Sequence, residues 1–351
     1  MSRHTTKLLK AILSTMHYSG ADSMIAPLTR GIGAIFMLHH VRPEQQASSE
    51  PNRSLHITPQ FLEAAIRQVR ACGFEIISLD ATHFRLVEGE TRNPFVCFTF
   101  DDGYRDNLEY AYPIFKRHHL PFAIYVPTDY PDGRGDLWWL ALEKVIAQVS
   151  TLNLKIDGVP RRLSCATPAE KDAAFQTVYW WLRSIEEVDA RALVRELCAS
   201  IDFDPTTLCK DLMLTWSEIR QLAADPLLTI GAHTRRHYGL AKLTFAEAQA
   251  EIEESVRRIE RETGKPCRHF SFPYGDARSA GPREFAIARE LGLKTAVTGC
   301  KGLIHARHGS ELTALPRVSL NGDYQKPRYV KALLSGVPFA FLNVVQRPGW
   351  A

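Results

Sequence analysis

Residues 96–104 read VCFTFDDGY, and the class of fold follows from how this stretch is taken. Five residues of strand-forming type run up to Phe100 with only Thr99 polar among them, the pattern of a strand buried on both faces. The run ends on two adjacent carboxylates, Asp101 and Asp102, and then Gly103. Like charges this close raise each other's pKa and cost stability unless a cation lies between them. The pair is therefore either a solvated turn or a cation site at the end of a buried strand.

Outward from this stretch, short apolar runs alternate with helical patterns. Strands are expected at 31–38 (ending on His39 and His40), 74–79, 95–100, 122–126, 228–232, 268–272, 294–298 and 314–320. Helices are expected at 58–71, with Thr58 as N-cap, Pro59 in the first turn and Gly73 as the stop, and at 106–118 and 215–224. Two more, 244–263 and 282–291, are closed by Gly264 and Gly292. Strand and helix alternating with tight loops specify an α/β protein, with about seven parallel strands closed into a barrel and helices outside it. A doubly wound open sheet is the runner-up, but a nucleotide-binding version needs a Gly-rich turn after an early strand. Gly31 and Gly33 open a strand instead.

The rhythm breaks over residues 131–214, which read as a mainly helical insertion carried on a barrel loop, with tryptophan pairs at Trp138, Trp139 and Trp180, Trp181. The expected organisation is a helical extension over 1–30, the barrel over 31–325 and a tail over 326–351. Residues 7–16 suit a short amphipathic helix, packed across the barrel's bottom or lying on a membrane surface.

Composition narrows the function. With 43 Lys and Arg against 39 Asp and Glu, the net charge of +4 gives no argument for nucleic acid. Seven scattered cysteines without a C-x-x-C pair speak against a disulfide framework and a structural zinc site. The opening residues carry neither an unbroken apolar core nor a small-residue cleavage site, and no apolar run is long enough to span a bilayer, so a cytoplasmic protein, or one at the inner membrane face, is expected.

Three strand ends then point at one place. They are Asp101-Asp102-Gly103; GAHTRRH, where His233 and His237 follow the strand at 228–232; and FSFPYGD, where Pro273, Tyr274, Gly275 and Asp276 follow the strand at 268–272. In a parallel barrel all three lie on the C-terminal face, where ligands bind. Two imidazoles four residues apart on a turning segment, with one carboxylate, make a facial two-His, one-carboxylate set. A zinc ion so held lowers the pKa of a bound water to about 7. One aspartate can then hold the metal while its neighbour works as general base.

TFDDGY, HTRRH and FPYG, in that order, resemble the first three motifs of the polysaccharide deacetylases, the NodB-type carbohydrate esterases that include chitooligosaccharide, chitin and peptidoglycan deacetylases. The resemblance covers about residues 35–320 and implies a distorted (β/α) barrel, a divalent metal (most commonly Zn²⁺) and hydrolysis of an N-acetyl group on an amino sugar. It makes Asp101 the base, and Asp102, His233 and His237 the metal ligands. It makes Thr234 a residue that sets the loop, and Pro273, Tyr274 and Gly275 the groove turn, where a Tyr274 backbone N–H can help hold an oxyanion.

Two positions depart from the pattern. The family's third motif carries an arginine two residues before its proline, where this chain has Ser271; Arg317, in LPRV, is the candidate replacement. The late L-x-H histidine that serves as general acid has no clear counterpart. His305, in a loop with His308, and His40, beside His39 at the end of the first strand, are candidates for supporting the site or for the acid. Trp138 and Trp139 are candidate stacking faces for sugar rings. The implied partner is an N-acetylated oligo- or polysaccharide, or a lipid-linked precursor. Two rival readings stay open: an amidohydrolase of non-sugar or cyclic amides, which requires a small closed pocket, and a catalytically silent carbohydrate-binding relative.

Overall fold

The computed structural model describes residues 14–15, 21–44, 51–90 and 92–340. Seven parallel strands close into a ring: β1 (Gly33–Leu38), β12 (Leu315–Ser319), β11 (Thr295–Lys301), β10 (His269–Ser271), β9 (Leu228–Ala232), β6 (Phe122–Val126) and β5 (Phe95–Phe100), which pairs back to β1 along its whole length. On its other edge β5 is shared. Its first residues pair with the short β4 (Glu75–Ile76) and its last with β6, Thr99 opposite Ala123. The ring is uneven, since β9 and β10 meet at a single register pair, Ala232 with Phe270, and the β11–β12 register shifts. A short parallel pair, β2 (His40–Val41) with β3 (His56–Ile57), continues beyond β1.

All six residues of β5 are buried, because its two faces go to different cores. Val96, Phe98 and Phe100 pack outward under the helices, while Phe95 and Cys97 join Ile35, Ala123, Tyr125, Val297 and Leu315 inside the ring. Side chains alternate along a strand, so inward parity carries on through Thr99 to Asp101.

The outer helices are α1 (Ala21–Thr29), α2 (Pro59–Ala71), α3 (Leu79–Glu88), α4 (Tyr112–His118), α9 (Trp216–Ala224), α10 (Phe245–Thr263), α11 (Pro282–Glu290) and α12 (Pro327–Leu334). Thr58, Thr215 and Thr244 cap α2, α9 and α10, the last two in capping boxes with Glu218 and Glu247. Gly264, at φ +66°, ends α10. Several expectations change here. The strand expected at 74–79 shrinks to two residues, because Ser78 caps α3 instead. The helix expected at 106–118 begins as a π turn over Asn107–Ala111, since Pro113 has no N–H to donate. Within the expected tail, α12 buries Tyr329, Val330, Ala332 and Leu334. The amphipathic stretch at 7–16 lies outside the described residues except for Ser14 and Thr15, which are helical.

Between β6 and α9 the chain builds α5 (Trp138–Gln148), an antiparallel hairpin of β7 (Thr151–Ile156) and β8 (Val159–Ser164), then α6 (Pro168–Leu182), α7 (Glu187–Ala199) and α8 (Thr206–Leu212). The hairpin is a strand pair that the expectation of a mainly helical segment did not include. Its sign was Asp157-Gly158, both at positive φ, as a two-residue type I′ turn requires, after the alternating Leu152, Leu154 and Ile156. This segment has its own apolar core, including Leu142, Phe175, Val178 and Val194, and that core takes in Tyr104 from the loop after β5. All seven cysteines are free, and no helix among the described residues is long and apolar enough to cross a membrane.

Candidate active site

The loops after β5, β9 and β10 meet at the C-terminal mouth of the ring, as their parallel order requires. Each is held in a backbone form that ordinary residues avoid. Asp102, Thr234, His237 and Tyr274 all have φ between +59° and +73°, four of the seven non-glycine residues so placed among those described. Such strain persists only where surrounding bonds over-determine it, and it gathers at working sites.

Those bonds are specific. Leu214 N donates to Gly103 O (3.0 Å) and Arg105 N to Leu212 O (2.7 Å), so the returning end of the insertion braces the first loop. In the second, His237 N donates to Thr234 Oγ1 (2.9 Å), and buried Glu251 of α10 accepts from Arg235 N (3.1 Å) and Arg236 N (2.9 Å). In the third, Gly275 N donates to Pro273 O (2.6 Å). Glycine is required at 275, because a Cβ there would lie 2.1 Å from Gly299 N.

Asp102, His233 and His237 turn one ligating atom each toward a common point, all within 4.8 Å of one another. His233 Nε2 is 3.4 Å and His237 Nε2 3.2 Å from Asp102 Oδ1, yet that oxygen has no hydrogen-bond partner. His233 Nδ1 donates to Ser271 O (2.6 Å), which leaves Nε2 with its lone pair directed at the common point. Burial lowers the pKa of His237 against the opposing pull of Asp102, keeping the ring neutral. Burial also opposes charge on Asp102, and the two imidazoles reverse this and hold it well below the usual carboxylate range. Two imidazoles and a carboxylate with an orphaned oxygen fit a divalent cation.

Asp101 is held from inside the ring. Arg317 grips it with Nη1 to Oδ1 at 2.8 Å and Nη2 to Oδ2 at 2.7 Å, while Arg317 Nε donates to Thr298 O (2.8 Å). Arg317 is 2% exposed, so it is no surface arginine. Its Nη2 also reaches Ser271 Oγ (3.1 Å), which places the guanidinium beside the position from which the sequence lacked an arginine. Burial pushes the Asp101 carboxyl up, and the charge and bonds of Arg317 more than reverse that, leaving it below its ordinary value. The parity of β12 was the available signal: Leu315 points into the ring, so Arg317 does too.

The histidines divide. His40 Nδ1 bonds Asp106 Oδ2 (2.6 Å), its ring stacks on Tyr104 with centres 3.5 Å apart, and its buried Nε2 has no partner. His39 feels the charge of both Asp102 and Asp101, though burial lowers its pKa overall. His305 is displaced from the site. It packs beside Gly31 at the opposite end of the ring, because residues after β11 return to the bottom, where Ile304 bridges Gly33. His308 bonds back to His305 N (2.9 Å) there.

Trp138 and Trp139 reach the site but expose only 3% and 4% of their surface, so neither offers an open stacking face. Trp138 Nε1 donates to the Tyr274 hydroxyl (2.9 Å), and the Trp139 ring centre lies 5.1 Å from that of His237. Among the described residues the exposed indole is Trp180, at 42%, with the Arg278 guanidinium 4.8 Å from its ring centre. Sequence reading passed over Tyr104 and Tyr130. Both phenols are buried without partners, and burial, with the Asp102 charge adding to it, raises both pKa values far above normal. The tyrosine within TFDDGY was the only hint of Tyr104; Tyr130 gave none.

The polysaccharide deacetylase family model matches residues 166–296, a span that holds both histidines and the Pro273–Gly275 turn but begins after Asp101 and Asp102. No protein with a curated description matches the chain. Among solved structures, the deacetylase PplD of Streptococcus pyogenes, in complex with acetate, has a TM-score of 0.55 at 15% identity, covering 86% of this chain and 97% of that one. IcaB of Ammonifex degensii gives 0.52 at 16% identity, with 86% and 97% covered. The putative polysaccharide deacetylase BA0330 of Bacillus anthracis gives 0.51 at 15% identity, with 86% and 68% covered. At these identities the structures speak for the barrel alone, and the polysaccharide deacetylase match covers the part of the chain that carries the histidine loop and the Pro273–Gly275 turn.

Proposed function

We propose that this protein is a metal-dependent deacetylase that removes N-acetyl groups from amino-sugar units of an oligo- or polysaccharide. The observation that carries the reading is the convergence of Asp102, His233 and His237, with their ligating atoms within 4.8 Å of one another, next to an ionised Asp101. These three residues would hold the cation, Zn²⁺ by their donor types. Bound there, it supplies Lewis acidity toward the acetyl carbonyl.

The chain's own groups do the rest. Asp101, kept charged and aimed by Arg317, takes the proton from the attacking water. The Tyr274 backbone N–H, on the turn held by Gly275, donates toward the oxygen that gains negative charge. His40 donates its Nδ1–H to Asp106, which orients the ring, and its Nε2, once protonated, hands that proton to the leaving amine. The Arg317–Asp101 pair counts against a silent binding protein, because Arg317 stands in for the missing arginine that modestly favoured it.

One observation favours a second reading. Asp101, Asp102, His233 and His237 are each 4% exposed or less under the insertion, which suits a small amide better than a chain threaded along a groove. Acetate release should be measured from N-acetylglucosamine, chitooligosaccharides of increasing length and small cyclic and linear amides, with chelator and then with Zn²⁺ restored. Release that grows with chain length, stops on chelation and returns with zinc supports the deacetylase; hydrolysis confined to small amides supports the second reading; no hydrolysis rejects both.

A further inference from the structure

We propose that the turn joining α6 to α7 in the insertion is a clasp that sets the geometry of both site loops, with Arg191 positioning His237 and Arg183 positioning Tyr274. This rests on the roles given to His237 and Tyr274 above. Arg183, at the end of α6, donates through Nη2 to both Asp276 oxygens (3.1 and 3.2 Å) and to Ser279 Oγ (2.6 Å). Its guanidinium lies 3.7 Å from the centre of the Tyr274 ring. Arg191, one turn into α7, donates to the carbonyl of His237 itself (3.1 Å) and stacks on Tyr238 at 4.2 Å. Between them, Glu187 accepts from Gly239 N (3.1 Å) and pairs with Arg191 and Lys242, and Lys242 Nζ returns a bond to Ile185 O (2.6 Å).

The chemistry is out of proportion to simple attachment. Arg183 is 7%, Glu187 4% and Arg191 2% exposed, and burying such charges costs more than packing apolar residues of the same volume. A lid needing only cover would be served by the leucines and tryptophans already beside it. What the charges add is direction, since a planar guanidinium fixes both the distance and the plane of what it bonds. The two bonded segments contain His237 at φ +59° and Tyr274 at φ +61°, positions that relax unless something holds them. His237 presents a ligand atom and Tyr274 a donor, and each function tolerates little displacement. The insertion is thus a working part of the site.

The test compares Arg191→Met, Arg191→Lys, Arg183→Met and Arg183→Lys with wild type and with Arg195→Met. Arg195 is an exposed arginine of α7 that pairs with Asp136 and serves as the control. Three readouts are taken on full-length protein: the rate at which zinc-loaded protein loses Zn²⁺ to a chelating dye, kcat and KM for the best acetylated substrate, and the melting temperature. Arg191→Met should lose zinc about 10–100-fold faster, as when a group orienting a ligand is removed, with Arg191→Lys recovering part of the difference. Arg183→Met should lower kcat by up to about 10²-fold with zinc retention and KM near wild type. Arg195→Met should change none of these. If the methionine variants lower only the melting temperature and keep zinc retention and kcat, the clasp is mere packing and the proposal fails; if they do not fold, the lysine variants decide by the same readouts. Wild-type protein that holds no zinc overturns the metal reading first, and the role of Arg191 with it.

Discussion

Asp101 stays charged in a buried place because Arg317 holds both of its oxygens. Replacing Arg317 with Met would remove the largest influence that opposes burial, so the Asp101 pKa should rise. The acidic limb of the kcat/KM profile should then move to higher pH, with a stability loss of about 3–5 kcal/mol from the unpaired charge. Unchanged limbs in the variant would mean that Asp101 is not the base. Asp101→Asn should keep its zinc by metal analysis while turnover falls about 10²–10⁴-fold. Loss of zinc in that variant would instead exchange the roles of the two aspartates.

Among the elements, α10 reaches the site through one side chain, for Glu251 gathers two backbone N–H groups of the histidine loop and Arg236 Nε (2.5 Å). Glu251→Gln loses charge-assisted bonds at a buried position and should cost about 2 kcal/mol in urea unfolding. On α6, Trp180 is the indole open to a substrate, while Trp138 and Trp139 form part of the wall. Trp180→Ala should raise KM for longer oligosaccharides and leave that for N-acetylglucosamine unchanged; equal effects on both would remove Trp180 from substrate contact. Most of these elements were legible locally, since threonine caps, closing glycines and uninterrupted apolar runs mark barrel strands and outer helices at their own positions. The β7–β8 hairpin was legible too, in Asp157-Gly158, but was masked by the helical patterns around it.

For the molecule as a whole, pH and metal act through the same groups. His39 and His237 have pKa values lowered by burial, so the unfolded chain binds their protons first. Their contribution to stability is full above the unfolded value of about 6.5 and declines as pH falls below it. Asp101 and Asp102, also lowered, add stability above about 3.9 that is lost as pH falls further through their folded values. Urea unfolding of the metal-free protein should therefore weaken continuously from pH 7 to pH 3, and a flat profile between pH 7 and 5 would contradict the burial of these histidines. Zinc that binds only the folded chain should add about 2.7 kcal/mol at a free concentration one hundred times its Kd, read as a higher melting temperature that chelator removes.

The closed α/β barrel and three motif-bearing loops at one mouth were legible in the sequence alone, because they depend on local periodicity and on the rule that parallel strands end together. Asp101, Asp102, His233 and His237 could be named for the same reason, each lying just past a strand. What only the tertiary structure decided lies at long sequence separation. Arg317 meets Asp101 across 216 positions, His305 falls to the wrong end of the ring, and Arg183 and Arg191 reach the site from a segment that carries no motif. Such partners are chosen by ring closure and by how the insertion folds back. The fold-back of the insertion leaves no trace in its own residues, so Arg183 and Arg191 emerged only when the chain was folded, whereas Arg317 could be named beforehand only as a candidate.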